Sequence, residues 1–238
     1  MTSTPLRAGI LGAGTIATAS YGFLPGMMAM PEDVTTIAIA DPVVERARAT
    51  AAQFGIPEVY ASLEEMLERS DIELVINLTP IPFHGATCKA ILEAGKHMVA
   101  EKPIATTMED ADEIVELANA KHLKVVVAPP NMLMPNRVEA KRLVEIGAIG
   151  QPCFARVRGS HGGPAAGNWP LDPTWFYQEG SGPLFDMGVY GIHAVLIEHV
   201  GRGDDAAQAL AVGQLDDGVG ILHRRRDRLF DHQMFARL

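Results

Sequence analysis

The stretch "RAGILGAGTIA", residues 7–17, sets an apolar run directly before Gly12-Ala13-Gly14-Thr15-Ile16-Ala17, a G-x-G-x-x-A pattern that opens a helix. Small residues in that place allow a tight turn and let a pyrophosphate approach a helix N-terminus, where free backbone N–H groups and the helix dipole favour anions. Alone, the pattern also describes a turn that merely packs helix on strand, so the surrounding sequence must decide. Outward from it, short apolar runs alternate with longer amphipathic ones: "TTIAIADP", "VVERARATAAQFG", "ELVINLTP", "GATCKAILEAG", "HMVAEKP", "EDADEIVELANAKH" and "KVVVAP". Runs as uniformly apolar as Val125 to Ala128 suit a parallel sheet covered on both faces. Residues 5 to 130 therefore read as a doubly wound α/β domain. Gly55 and Gly95 stand where left-handed C-caps end two of its helices.

Composition narrows the function. The chain of 238 residues is 47% hydrophobic and 21% charged, the profile of an ordinary globular protein, and a formal charge of -9 argues against a nucleic-acid partner. Cys88 and Cys153 fit neither a disulfide nor a metal spacing, so no metal is expected and a reducing compartment is. The N-terminus carries no basic region followed by an apolar stretch, and no window approaches the roughly 18 apolar residues of a membrane span. The reading is a cytoplasmic protein without a membrane partner.

Beyond Pro129-Pro130 the rhythm changes. "NRVEAKRLVEIGAIG" reads as a helix ending at Gly147, "CFARVRGS" as a strand, and "LFDMGVYGIHAVLIEHVG" as a helix closed by Gly201. Between the last two lies a loop whose Trp169, Trp175 and Tyr177 either wall a sugar site or anchor the loop. Residues 201–238 then lose every Glu and Lys and hold 6 Asp and 6 Arg. Only Leu210 to Val212 and Val219 to Leu222 look like strands there.

Candidate binding residues cluster at predicted strand ends, where open α/β sheets bind ligands. Asp41 can accept both ribose hydroxyls of an adenosine, and with Pro42 and Val43 after it a 2′-phosphate meets repulsion, so NAD is favoured over NADP. Arg46 and Arg48, at helical spacing, read as a solvated face. A further strand ends at Thr79-Pro80, and its loop carries His84, either a cofactor contact or a capping histidine. Glu101, Lys102 and Pro103 end an apolar strand where charge is costly without a task.

Taken in order, "GILGAGTIA", "IADP", "NLTPIPFH", "EAGKHMVAEKPIA" and "GSGPLFDMGVYGIH" resemble the glucose-fructose oxidoreductase and inositol dehydrogenase family (Gfo/Idh/MocA), over about residues 5 to 201. The resemblance implies a Rossmann domain, a C-terminal α+β domain built on an open antiparallel sheet, and a nicotinamide-dependent oxidoreductase of sugars, cyclitols or related polyols. It gives Gly12, Gly14, Thr15, Ile16, Asp41, Thr79, Pro80, His84, Glu101 and Lys102 to the cofactor. Lys102 matches the family's EKP lysine, whose ammonium stabilises a developing alkoxide, and Glu101 would orient that lysine or the nicotinamide amide.

Asp186, Tyr190 and His193, at i, i+4 and i+7, share one face of an α-helix. The family commonly shows D-x-G-x-H-x-x-D here, so Tyr190 and His193 are departures. Either Tyr190, its phenol pKa lowered by Lys102, transfers the proton, or His193 does and Tyr190 positions substrate.

These readings divide the chain into a dinucleotide-binding domain over 1–130, a partial substrate and oligomerisation domain over 131–201 and an atypical tail over 202–238. The C-terminal domain is expected to be incomplete, through an interrupted frame or a shortened relative, leaving apolar surface for a possible homo-oligomer. The rival to catalysis is a dinucleotide-binding protein without turnover.

Overall fold

The computed structural model describes residues 4–128, 134–150, 154, 156, 157, 163, 173–179 and 181–199. Six parallel strands, β1 (Leu6–Leu11), β2 (Val34–Ala40), β3 (Glu58–Tyr60), β4 (Leu74–Asn77), β5 (His97–Ala100) and β6 (Val125–Val127), form one sheet in the order β3-β2-β1-β4-β5-β6. Chain order reverses at β1, so a crevice opens at the carboxyl ends of β1 and β4, the switch point where such sheets take their ligands.

Both faces of the sheet are buried, and the period-two alternation of strand side chains divides the core. Ile10, Ile39, Leu74, Ile76 and Val99 pack on one face with Phe23, Leu24, Ala47 and Ala51. Leu11, Ala38, Val75, Met98 and Ala100 pack on the other with Met66, Cys88, Ile91, Leu92 and Ile114. The first group lies under α2 (Phe23–Met28) and α3 (Val44–Phe54), the second under α4 (Leu63–Arg69), α5 (His84–Glu93) and α6 (Met108–Ala120). Each fully buried large aliphatic side chain contributes about 1.5–3 kcal/mol, so the sheet needs no other cement.

Local signals start and stop the helices. Ser62 Oγ accepts from Glu65 N–H and Thr107 Oγ1 from Asp110 N–H, each satisfying an orphan donor of a first turn. Gly55 and Gly95 close α3 and α5 at φ 70° and 73°, as expected of them.

Three features depart from the sequence reading. The helix after the glycine turn is broken: α1 spans only Thr15–Thr18 before the chain bends at Ser20–Gly22 into α2. Strand β3 and helix α4 went unread because three residues of strand carry almost no periodicity. Beyond β6, α7 (Pro135–Glu145) matches its expectation, with Gly147 at φ 73° after it. Of the expected strand "CFARVRGS", Phe154, Arg156 and Val157 are described and lie in no strand. The rest of that segment, Trp169, the Trp175 side chain, Gly201 and the whole of 201–238 lie outside the described residues.

The last helix also differs. Leu184–Gly188 is a π-helical turn that runs into α8 (Val189–His199). A π turn changes the angular spacing of the residues within it, and across it Asp186 and Tyr190 both meet the Lys102 ammonium. Among the described residues, no helix is long and apolar enough to cross a membrane.

Candidate functional site

The glycine turn is built against its neighbours. Gly12 N–H donates to the Ala40 carbonyl at 2.8 Å, and Gly12 takes φ 101° with the place of a Cβ only 2.8 Å from the Leu78 oxygen. Both facts demand glycine there. Gly14 is the opposite case, for a Cβ added to it meets no heavy atom within 4 Å. Space beside Gly14 therefore opens next to Thr15 and Ile16, whose N–H groups precede the first intrahelical bond, made by Ala17 N–H to the Gly14 carbonyl.

Asp41 is buried at 4% exposure and braces this turn. Its Oδ2 accepts from Ala13 N–H at 2.9 Å and its Oδ1 from Val43 N–H at 2.8 Å. Arg46 reaches the same carboxylate, its guanidinium 3.6 Å from Oδ1, and so is not simply part of a solvated face. Arg48 is, paired with Glu45 on the exposed side of α3.

At the end of β4, Asn77 organises the loop. Fully buried, it donates from Nδ2 to Thr87 Oγ1 at 2.8 Å and to Cys88 Sγ, and its Oδ1 accepts from the Thr79 hydroxyl and Thr79 N–H. Sequence reasoning passed over Asn77, although an amide inside the apolar run "LVINL" was a visible signal. Burial pushes the Cys88 thiol up to about 12, which suits a packing role. His84, expected at the cofactor, lies inside the protein at 1% exposure. Its Nε2 is 2.7 Å from the Thr79 carbonyl, and its Nδ1 faces the Pro103 carbonyl. Its polar atoms are engaged by backbone, so it meets a ligand only through the loops it holds.

The end of β5 carries the charges. Glu101 Oε2 accepts from Lys102 N–H at 3.2 Å, and burial holds its carboxyl above the ordinary range against the lowering influence of Lys102. The Lys102–Pro103 peptide is cis. Lys102 Nζ lies 2.6 Å from Asp186 Oδ1 and 2.8 Å from the Asp186 carbonyl, and 5.3 Å from the centre of the Tyr190 ring.

Here the expected effect on Tyr190 reverses. Burial, then the charges of Glu101 and Asp186, hold its phenol above 10 rather than below it. Lys102 pairs with Asp186, and its ammonium lies over the Tyr190 ring. His193 moves the other way, burial pushing its imidazole below the ordinary 6.5, and its Nδ1 is shut from solvent without a hydrogen-bond partner among the described residues.

Residues 6–128 match the oxidoreductase family described as having an NAD-binding Rossmann fold, and residues 138–198 match the GFO/IDH/MocA C-terminal domain. The chain belongs to this Gfo/Idh/MocA oxidoreductase family. An uncharacterised oxidoreductase of Rhizobium meliloti is 31% identical over 91% of this chain and 62% of its own length. The trans-1,2-dihydrobenzene-1,2-diol dehydrogenase of Danio rerio is 29% identical over 90% of this chain and 62% of its own. The chain thus spans under two thirds of the length of these curated relatives. Among solved structures, KijD10, a 3-ketoreductase from Actinomadura kijaniata in complex with TDP-benzene and NADP, is 27% identical, with a TM-score of 0.63 over 81% of this chain and 55% of that one.

Proposed function

We propose that this chain carries the dinucleotide site and the proton-handling residues of an NAD(P)-dependent oxidoreductase, one that moves hydride between the nicotinamide and a carbinol carbon of a sugar, cyclitol or related polyol. Residues 1–130 form the dinucleotide domain in this reading and 131–201 the substrate side. A dinucleotide fits the residues present. The open space at Gly14 beside the N–H groups of Thr15 and Ile16 receives the pyrophosphate, and Asp41 stands where the adenosine ribose falls. Thr79, Pro80, Glu101 and Lys102 line the nicotinamide end. Asp41 favours NAD over NADP through repulsion of a 2′-phosphate.

The bound cofactor supplies one thing, a hydride acceptor or donor. The chain's own residues do the rest. Lys102, its ammonium presented at the end of β5, hydrogen-bonds the substrate hydroxyl oxygen and stabilises the alkoxide that develops as hydride leaves. Asp186 holds that ammonium at 2.6 Å and fixes its direction. Tyr190, a phenol across the neutral range, donates to substrate and positions it. His193, neutral at the same pH, is the acceptor of the hydroxyl proton in this reading.

The observation that carries this reading is the junction of Lys102 with Asp186 at the carboxyl end of a switch-point sheet. A fluorescence titration with NADH and NADPH, followed by a polyol screen for NAD reduction, tests it. The expected result is saturable NADH binding with polyol-dependent turnover. Binding without turnover on any polyol leaves a dinucleotide-binding protein, and no binding of either cofactor sinks the proposal.

A further inference from the structure

His84 opens α5 with its ring buried between two backbone carbonyls, that of Thr79 after β4 and that of Pro103 after β5. A carbonyl oxygen only accepts. A neutral imidazole has one N–H, so it satisfies one of these oxygens and turns a lone pair on the other, at hydrogen-bonding distance and in a place closed to water. Hydrogen on both ring nitrogens removes that conflict and makes both contacts charge-assisted.

We infer that His84 is a positioning residue, its imidazole carrying hydrogen on both nitrogens and clamping the Thr79 carbonyl to the Pro103 carbonyl, which sets where Lys102 presents its ammonium. The connection is short. Pro103 is the next residue after Lys102, and the Thr79 loop is anchored separately by Asn77. The ring therefore ties the loops after two adjacent parallel strands, β4 and β5, to the first residue of α5. Nothing else among the described contacts joins the Thr79 loop to Pro103. The inference rests on reading Lys102 as the group that meets substrate, but the state of the ring is measurable whether or not that reading holds.

The test begins on the unaltered chain, labelled with nitrogen-15 histidine. At pH 7.5 both His84 ring nitrogens should bear slowly exchanging hydrogens, each coupled across its hydrogen bond to a carbonyl carbon, one of Thr79 and one of Pro103. A ring with one bare nitrogen overturns the clamp. The variant His84→Gln donates from one end only. It should lower kcat for polyol oxidation about tenfold while leaving the NAD KM within about threefold, and should shift the Lys102 Nζ resonance, which His122→Gln on an exposed turn leaves in place. An unchanged kcat with an unmoved Lys102 resonance overturns the positioning role. If the unaltered chain turns over no polyol, the functional reading has failed, whereas the ring spectrum and the Lys102 resonance still decide the role of His84.

Discussion

Lys102 and Asp186, 84 residues apart in the chain, are joined twice, once through the carboxylate at 2.6 Å and once through the Asp186 carbonyl at 2.8 Å. Their side chains are 12% and 17% exposed, so this is a contact largely withdrawn from water. It connects the end of β5 to the π turn that leads into α8. Two segments matched to different family domains thereby share one charge pair.

The first prediction removes one partner. Lys102→Met leaves the Asp186 carboxylate without its cation and should destabilise the fold by about 2 kcal/mol, below the value for a fully buried pair because some solvent reaches both groups. In turnover assays kcat should fall at least about a hundredfold with NADH affinity nearly unchanged. Parallel loss of cofactor binding and rate would make Lys102 a cofactor ligand instead.

A second prediction separates the two glycines of the turn. Gly12→Ala puts a Cβ 2.8 Å from a backbone oxygen at φ 101° and should cost about 1–3 kcal/mol or more. At Gly14, φ is -81° and the added Cβ meets nothing, so Gly14→Ala should stabilise the apo protein by about 0.4–1 kcal/mol. That same methyl enters the space proposed for the pyrophosphate, and NADH affinity should drop about tenfold or more. Denaturant melts and NADH titration of both variants check the crossed pattern. Full NADH affinity in Gly14→Ala would move the pyrophosphate elsewhere.

Cofactor choice yields a third. In the proposed site Asp41 repels a 2′-phosphate, while Arg46, 3.6 Å from that carboxylate, offers it a cation. NADH should bind at least about tenfold tighter than NADPH, and Arg46→Ala should widen the gap by a further factor of about three to ten. Titrations with both cofactors decide it. A gap that narrows in Arg46→Ala would show the guanidinium to be serving the ribose hydroxyls rather than a phosphate.

How much of this could be read before the structure follows from what sequence spacing encodes. Strands β1, β2, β4, β5 and β6 are legible because burial on both faces makes each a continuous apolar run. Strand β3, with Glu58, Val59 and Tyr60 all half-buried, offers no such run. The glycine turn and the EKP segment announce themselves by residue type, but the bond of Asp41 to Ala13 N–H depends on a crossover between strands and shows in neither segment. The π turn is invisible to spacing, since a shift of hydrogen-bond register alters no residue. Tyr190 was misjudged for a related reason. Proximity to Lys102 was correctly expected, while the burial that decides the direction, and the carboxylates of Glu101 and Asp186 that add to it, arise only in three dimensions.

The fourth prediction uses the opposed titrations of His193 and Tyr190. Burial lowers the His193 pKa from 6.5, so just below that pH the unfolded chain binds a proton that the folded chain refuses. Its contribution to stability is present above 6.5 and is lost as pH falls through the lower, folded value. His193→Gln cannot titrate, and its stability should decline less than that of the unaltered chain between about pH 7 and 5. Tyr190 has the reverse sign on the alkaline side. Its raised pKa means the folded state keeps a proton that the unfolded state loses, so its contribution is intact below 10 and is lost as pH rises through the folded value. Tyr190→Phe should therefore track the unaltered chain through the acid range and diverge from it only above about pH 10. Denaturant midpoints across pH for the three proteins measure both effects. If the His193→Gln curve runs parallel to the unaltered chain down to pH 5, the imidazole is solvated enough to charge freely. His193 would then compete as a cation with Lys102 and could not serve as the neutral acceptor of the substrate proton.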